Sequence, residues 1–168
     1  LPMFTPQGAL LRNLLIEYVQ SLQEPLGYER VWIPHLAKSD LYKTSGHWEK
    51  FREDLFRVRG GTGAEFVLKP MNCPHHIELY ASEKRSYRDL PVRFAEMTTV
   101  YRDEQLGELL GLERVRSITQ DDAHVFATSE QVVEECVSII TLIKKFYKTF
   151  SMPLEARLSL HDPKTPEK

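Results

Sequence analysis

Cysteine is nearly absent, with two in 168 residues, Cys73 and Cys136. Two thiols so far apart give no disulfide framework, which points to a reducing, cytoplasmic setting. Long hydrophobic runs are missing too. The most apolar stretch, around Val137–Ile143, falls far short of the roughly 20 residues of a membrane span, and the start carries no signal-peptide pattern. Nor is one sign of charge in excess: 22 basic residues face 24 acidic ones, for a net charge of −2. Contact with a polyanion must therefore be local rather than global. Internal repeats, low-complexity tracts, regular β-α-β alternation and Gly-rich dinucleotide or phosphate loops are all lacking, which weighs against Rossmann and P-loop folds. What is present, 42% apolar and 27% charged residues, describes a folded domain with a real core. The chain opens on Leu-Pro rather than Met and stops in "HDPKTPEK", so both ends read as cut from something larger.

Helical spacing of Leu11, Leu14, Leu15, Tyr18, Val19 and Leu22 predicts a first helix, capped by Thr5 with Pro6 at its first position and closed by Pro25 and Gly27. "YERVWIP" (28–34) reads as a strand stopped by Pro34, and "KSDLYKTSGHW" (38–48) as a short helix capped by Ser39. Two alternating runs at 54–59 and 65–70 around "GGTG" predict a hairpin. A helix starts near Pro74 and runs to about Lys84. "VRFAEMTTVYR" (92–102) and "RVRSITQDDAHVF" (114–126) read as two antiparallel strands joined by the polar loop "DEQLGELLGLE". Thr128 and Gln131 resemble a capping box opening a helix from about Ser129 to Phe150, in which Cys136 reads as a buried small hydrophobe, and "LEARLSL" (154–160) looks like one more strand. The order predicts an α+β fold, a largely antiparallel sheet flanked by helices.

Two constellations could carry chemistry. If 92–102 and 114–126 pair, alternation sets Arg102 and Glu104 on one face of the first strand and Gln120, Asp122 and His124 on one face of the second, with Arg114 and Arg116 nearer the loop. Such a face is no hydrophobic core, because burying unpaired ions costs several kcal/mol each. It is either a solvated outer surface or an open catalytic floor, with arginines for phosphates or carboxylates and acids for amines and hydroxyls. The second is "MNCPHH" (71–76). It could be half of a metal site, a Cys–His nucleophile pair, or a thiol before a helix whose exposed first turn carries His75 and His76.

"KPMNCPHH", "SYRDLPVRFAEMTTVYRDE" and "GLERVRSITQDDAHVF", together with "LPMFTPQGALLRNLL" and "TSGHWEKF", resemble in order and spacing the catalytic core of threonyl-tRNA synthetases, a family of class II aminoacyl-tRNA synthetases. The resemblance spans essentially the whole chain. It implies that residues 1–168 are the N-terminal part of a class II catalytic domain, with motif 1 at about 6–34 and motif 2 at about 92–126. Motif 3 and the editing and anticodon-binding domains do not fall within the chain. In the family motif 1 forms the dimer interface, so a homodimer is expected.

The resemblance also implies roles. Arg102 would bind the ATP α-phosphate and the threonine carboxylate, Glu104 the adenine amino group and Arg114 the outer phosphates, with Mg2+ accompanying ATP. Zn2+ would be held by Cys73, His124 and a third ligand beyond the chain end, His161 being too early for it. Threonine would meet the metal through its amino and hydroxyl groups, with Asp122 accepting from the hydroxyl and Gln120 nearby. A hydroxyl ligand excludes valine, which an apolar pocket rejects poorly; serine would leak through, so editing is expected elsewhere. The chain departs from the family pattern at Ile118, where an aromatic commonly stacks on adenine, at Leu110 in place of a histidine, and at His75 in place of a glycine. The expected function is ATP-dependent activation of L-threonine and its transfer to tRNA(Thr), with this segment alone inactive or nearly so. The alternative is an impaired synthetase-like paralogue serving as a dimerisation or RNA-binding module.

Overall fold

Helix α1 (Pro6–Gln23) begins where the sequence places it: Thr5 stays extended and its side chain accepts from the Gly8 amide, with Pro6 filling the position whose N–H would have no partner. A 3-10 turn through Pro25 and a left-handed Gly27 redirect the chain into strand β1 (Tyr28–Arg30). The computed structural model describes residues 1–160. It resolves into two units, 1–132 and the segment from 133 onward.

Unit 1 holds two three-stranded sheets. In the first, β1 runs parallel to β5 (Val92–Tyr101), which pairs antiparallel with β6 (Ser117–Phe126) over ten residues, from Val92 opposite Phe126 to Tyr101 opposite Ser117. In the second, β4 (Glu65–Leu68) lies between β2 (Leu36–Lys38) and β3 (Arg57–Arg59), antiparallel to both. Ala37, Tyr42 and Val67 form its core, with Leu41 and Trp48 packed alongside. Helix α4 (Cys73–Ala81) follows β4 and lies against the β5–β6 pair, where Tyr80 stacks on Phe126 at a centroid separation of 4.1 Å and His76 meets Phe94 edge-on.

Several predicted elements change. The strand expected at 28–34 keeps ladder pairing only to Arg30, because Trp32 is exposed and Pro34 offers no donor. The helix expected over 38–48 is two, α2 (Ser39–Thr44) and α3 (His47–Lys50), separated by Gly46 at φ +76°, a conformation that suits glycine. β2 was not foreseen, since three residues carry too little alternation to read. β6 starts three residues later than the pattern suggested, at Ser117, because Arg114 and Arg116 turn back onto residue 104.

Unit 2 consists of the continuation of helix α5 (Val132–Thr149) and the segment after it. The capping contact appears as a bond from the Thr128 amide to Gln131 Oε1, 2.9 Å. Cys136 is exposed rather than buried, a correction to the sequence reading. Residues 154–160 are exposed and form no strand, because an alternating run needs a ladder partner and none is offered among the described residues. His161 lies outside the described residues. No described helix is long and apolar enough to cross a membrane.

Candidate active site

The register of the β5–β6 pair decides the site. Phe94, Glu96, Thr98 and Val100 stand opposite His124, Asp122, Gln120 and Ile118, and with a period of two all eight share one face. The ladder continues past Tyr101 through a bond from the Arg102 amide to the Arg116 carbonyl. Arg102 and Glu104 thus extend the row toward the loop. The polar face predicted by alternation exists, and it is partly covered rather than an open outer surface. Lys69, Asn72 and His76, from the β4–α4 connection, cover it and are themselves fully buried.

At the loop end, Arg102 lies over the Phe51 ring, 5.2 Å from its centroid, with Nη2 3.1 Å from Met71 Sδ. Its Nε is buried with no partner. Such a donor has lost its water and gained nothing in return, a cost of about 1–3 kcal/mol that an anion accepting from it would remove. Glu104 is buried, and Arg114 donates to its Oε2 through Nε at 2.9 Å and Nη2 at 2.7 Å, while Nη2 also lies 3.4 Å from Glu108. Arg116 donates twice to the Glu104 carbonyl and pairs with Asp103. Thus Arg114 rests on Glu104, while Arg102 is held by Phe51 and Met71. Ile118 faces Val100 across the ladder and packs as an aliphatic residue.

At the other end, Asn72 Nδ2 donates to Asp122 Oδ2 at 2.6 Å. Cys73 follows at the head of α4, half-buried, and both burial and the Asp122 carboxylate push its thiol up. His76 Nδ1 lies 2.8 Å from His124 Nδ1, with the two rings nearly perpendicular. His76 is fully buried, and its pKa is lowered to about 4 by desolvation, with neighbouring His124 adding to the effect. The exposed first-turn histidine expected from the sequence is therefore corrected: the side chain points down onto the sheet rather than out. His75 is half-buried against the Tyr42 hydroxyl. Glu96 sits beneath, its Oε1 accepting from the Ile33 amide at 3.0 Å, its Oε2 3.7 Å from Lys69 Nζ and 3.8 Å from His76 Nε2. Lys69 Nζ donates to Thr98 Oγ1 at 2.7 Å. Lys69, Glu96 and Thr98 escaped the sequence reading, and Asn72 and His76 entered it only within "MNCPHH". Alternation in β5 already put Glu96 and Thr98 on the face of Arg102, whereas Lys69, Asn72 and His76 are joined to it only by tertiary packing.

For a metal, the described residues offer a thiol at Cys73 and an imidazole at His124. This donor chemistry fits zinc. Because His124 has one ring nitrogen engaged by His76, one is left for a ligand. No group of three His, Cys, Asp or Glu side chains able to hold an ion occurs among the described residues.

Residues 56–165 match the family model of the tRNA synthetase class II core domain (G, H, P, S and T). The chain belongs to the class II tRNA synthetase core family. Within that class, the threonine–tRNA ligase of Synechocystis is 48% identical over 172 aligned positions, which take in 98% of this chain and 28% of that protein. The chain therefore spans little more than a quarter of the length of that relative. A protein assigned as a threonyl-tRNA synthetase in Aeropyrum pernix superposes with a TM-score of 0.85 at 34% identity, over 92% of this chain and 34% of that one. The RNA-binding domain of threonyl-tRNA synthetase from Cryptosporidium parvum superposes with a TM-score of 0.82 at 37% identity, over 86% and 36%. The class II core thus accounts for the α+β architecture.

Proposed function

We propose that this chain carries motifs 1 and 2 of a threonine–tRNA ligase, which activates L-threonine with ATP and transfers it to tRNA(Thr). The supporting observation is the polar face of β5–β6, where a buried guanidinium nitrogen without a partner, on Arg102, shares a row with Asp122 and His124. The threonine carboxylate is ionised at neutral pH and needs no base. It attacks the α-phosphorus of ATP, and the bond from that phosphorus to the bridging oxygen breaks as pyrophosphate leaves. Arg102 stabilises the charge that develops on the α-phosphate oxygens. Glu104 accepts from the adenine amino group once Arg114 has turned to the outer phosphates. In the second step a tRNA ribose hydroxyl attacks the activated carbonyl and AMP departs.

Asp122 accepts from the threonine hydroxyl, and Asn72, already bonded to Asp122 Oδ2, holds that carboxylate in one orientation. Gln120, between Asp122 and Ile118 on the same face, borders the substrate. Cys73 and His124 would hold Zn2+, whose Lewis acidity would bind the amino and hydroxyl groups of threonine together and so distinguish it from valine. Mg2+ would offset the phosphate charge. The protein acts as a homodimer in the cytoplasm, with the exposed Leu10, Leu11 and Leu14 of α1 as part of the interface.

The test is threonine-dependent ATP–pyrophosphate exchange by the full-length protein, with valine and serine as competitors. Exchange with threonine, less with serine and none with valine is expected. A well-folded, zinc-loaded protein without exchange would favour the impaired paralogue, for which the Arg114–Glu104 pair and the aliphatic Ile118 are the motivating features. Cys73→Ser should lower the zinc content by metal analysis and raise the apparent threonine requirement; unchanged zinc would remove Cys73 from the ligand set.

A further inference from the structure

His76 belongs to neither the ATP nor the threonine contacts proposed above, yet it is fully buried and its Nδ1 lies 2.8 Å from His124 Nδ1. Behind it, His76 Nε2 and Glu96 Oε2 are both buried without a hydrogen-bond partner and face each other across 3.8 Å. We propose that His76 is a positioning residue for His124 and that Glu96 selects the tautomer leaving His124 Nε2 free to coordinate a metal. The inference rests on the zinc reading given under Proposed function.

Proton placement between the two imidazoles decides which nitrogen stays free. A neutral imidazole carries one N–H and one lone pair, and a short contact between two ring nitrogens needs one of each. In one arrangement His124 donates from Nδ1 to His76 Nδ1. The His76 proton then sits on Nε2, aimed at the Glu96 carboxylate, and His124 Nε2 keeps its lone pair. In the other, His76 donates to His124. A bare His76 Nε2 would then oppose a carboxylate oxygen, lone pair against lone pair, and His124 would be protonated on Nε2, leaving neither nitrogen for a metal. Burial makes the contrast large, because no water reaches either orphan atom.

Glu96 is suited to the selection. Its Oε1 is anchored by the Ile33 amide, and Lys69 Nζ stands 3.7 Å from Oε2. Carboxylate–histidine pairs that orient a metal ligand are a general device of metal sites; here a second imidazole is inserted between carboxylate and ligand.

The test uses the full-length protein and has two readouts, neither of them activity. Magic-angle-spinning spectra of metal-free protein labelled with 15N histidine should show His124 protonated at Nδ1, the signal being assigned by its loss in His124→Gln. An Nε2-protonated His124 in the wild type overturns the proposal without any variant at position 76. Zinc affinity is measured by chelator competition. His76→Leu should weaken it by about 10- to 100-fold. His76→Asn, whose amide oxygen stands near the former Nδ1 and can accept from His124, should recover most of the loss. Glu96→Gln should move His124 toward the Nε2-protonated form and weaken zinc, because its amide would donate to His76 Nε2. Zinc bound equally by wild type and a folded His76→Leu, but lost in Cys73→Ser, overturns this inference and leaves the metal reading standing. A wild type with no zinc overturns both.

Discussion

Arg102 shows what one residue contributes when its surroundings are incomplete. Its guanidinium is fixed by the Phe51 ring beneath it and by Met71 beside it, while Nε has nothing to bond. Donors held in place before the reaction lower its barrier because they need not reorganise as charge develops. Arg102→Lys in the full-length protein should therefore slow pyrophosphate exchange by about 100- to 1000-fold, since an ammonium neither stacks on a ring nor presents a planar fork. Zinc content and thermal midpoint should stay near those of the wild type. A comparable loss of zinc would mean that Arg102 supports the sheet rather than the substrate.

At the scale of elements, the β4–α4 connection matters most, because it lays Lys69, Asn72 and His76 over the β5–β6 strands. Lys69 is the most exposed to thermodynamic test. Desolvation lowers its pKa, and Glu96 opposes part of that shift. A lysine whose folded pKa lies below its unfolded value binds fewer protons folded than unfolded in the window between the two, so stability rises with pH there and falls as pH drops through the folded value. Between neutral pH and the ordinary lysine value of 10.5, wild type should thus gain thermal stability relative to Lys69→Met. That variant should also be destabilised at pH 7 by about 3–5 kcal/mol, because Glu96 is left as a buried charge beside His76. Equal pH slopes for the two proteins would show that Lys69 keeps its proton throughout.

The same elements mark how far the sequence could be read. Helix α1, the 65–70 strand of the hairpin and the β5–β6 pair carry long periodic patterns or strong punctuation and were legible, as were Arg102, Glu104, Gln120, Asp122 and His124 on one face. Alternation along a strand is a local property. What covers that face is not. His76 read as an exposed residue because nothing within "NCPHH" tells which side of a short helix meets the sheet, and the strand predicted at 154–160 failed because alternation cannot supply a partner. Cys136 failed likewise: helical spacing defines a stripe, but burial needs something against it.

At the scale of the whole molecule, part of the exposed apolar surface lies on α1. Leu10, Leu11 and Leu14 are 61%, 59% and 52% exposed, a contiguous stripe at helical spacing. Burying a leucine contributes about 1.5–3 kcal/mol, and a symmetric interface counts each residue twice. The double variant Leu11→Asp, Leu14→Asp in the full-length protein should shift the mass measured by sedimentation from dimer to monomer. A mass that stays at twice the chain would place the interface elsewhere.

The other end of α1 is gripped from within. Gln23 donates to both carboxylate oxygens of Asp121, at 2.9 and 2.8 Å, on the side of β6 away from the substrate row. The next residue along, Asp122, faces that row, and only about 3.8 Å separates consecutive Cα atoms. One peptide unit thus serves two masters. The C-terminal end of α1 is thereby tied, through Gln23 and Asp121, to the backbone next to Asp122.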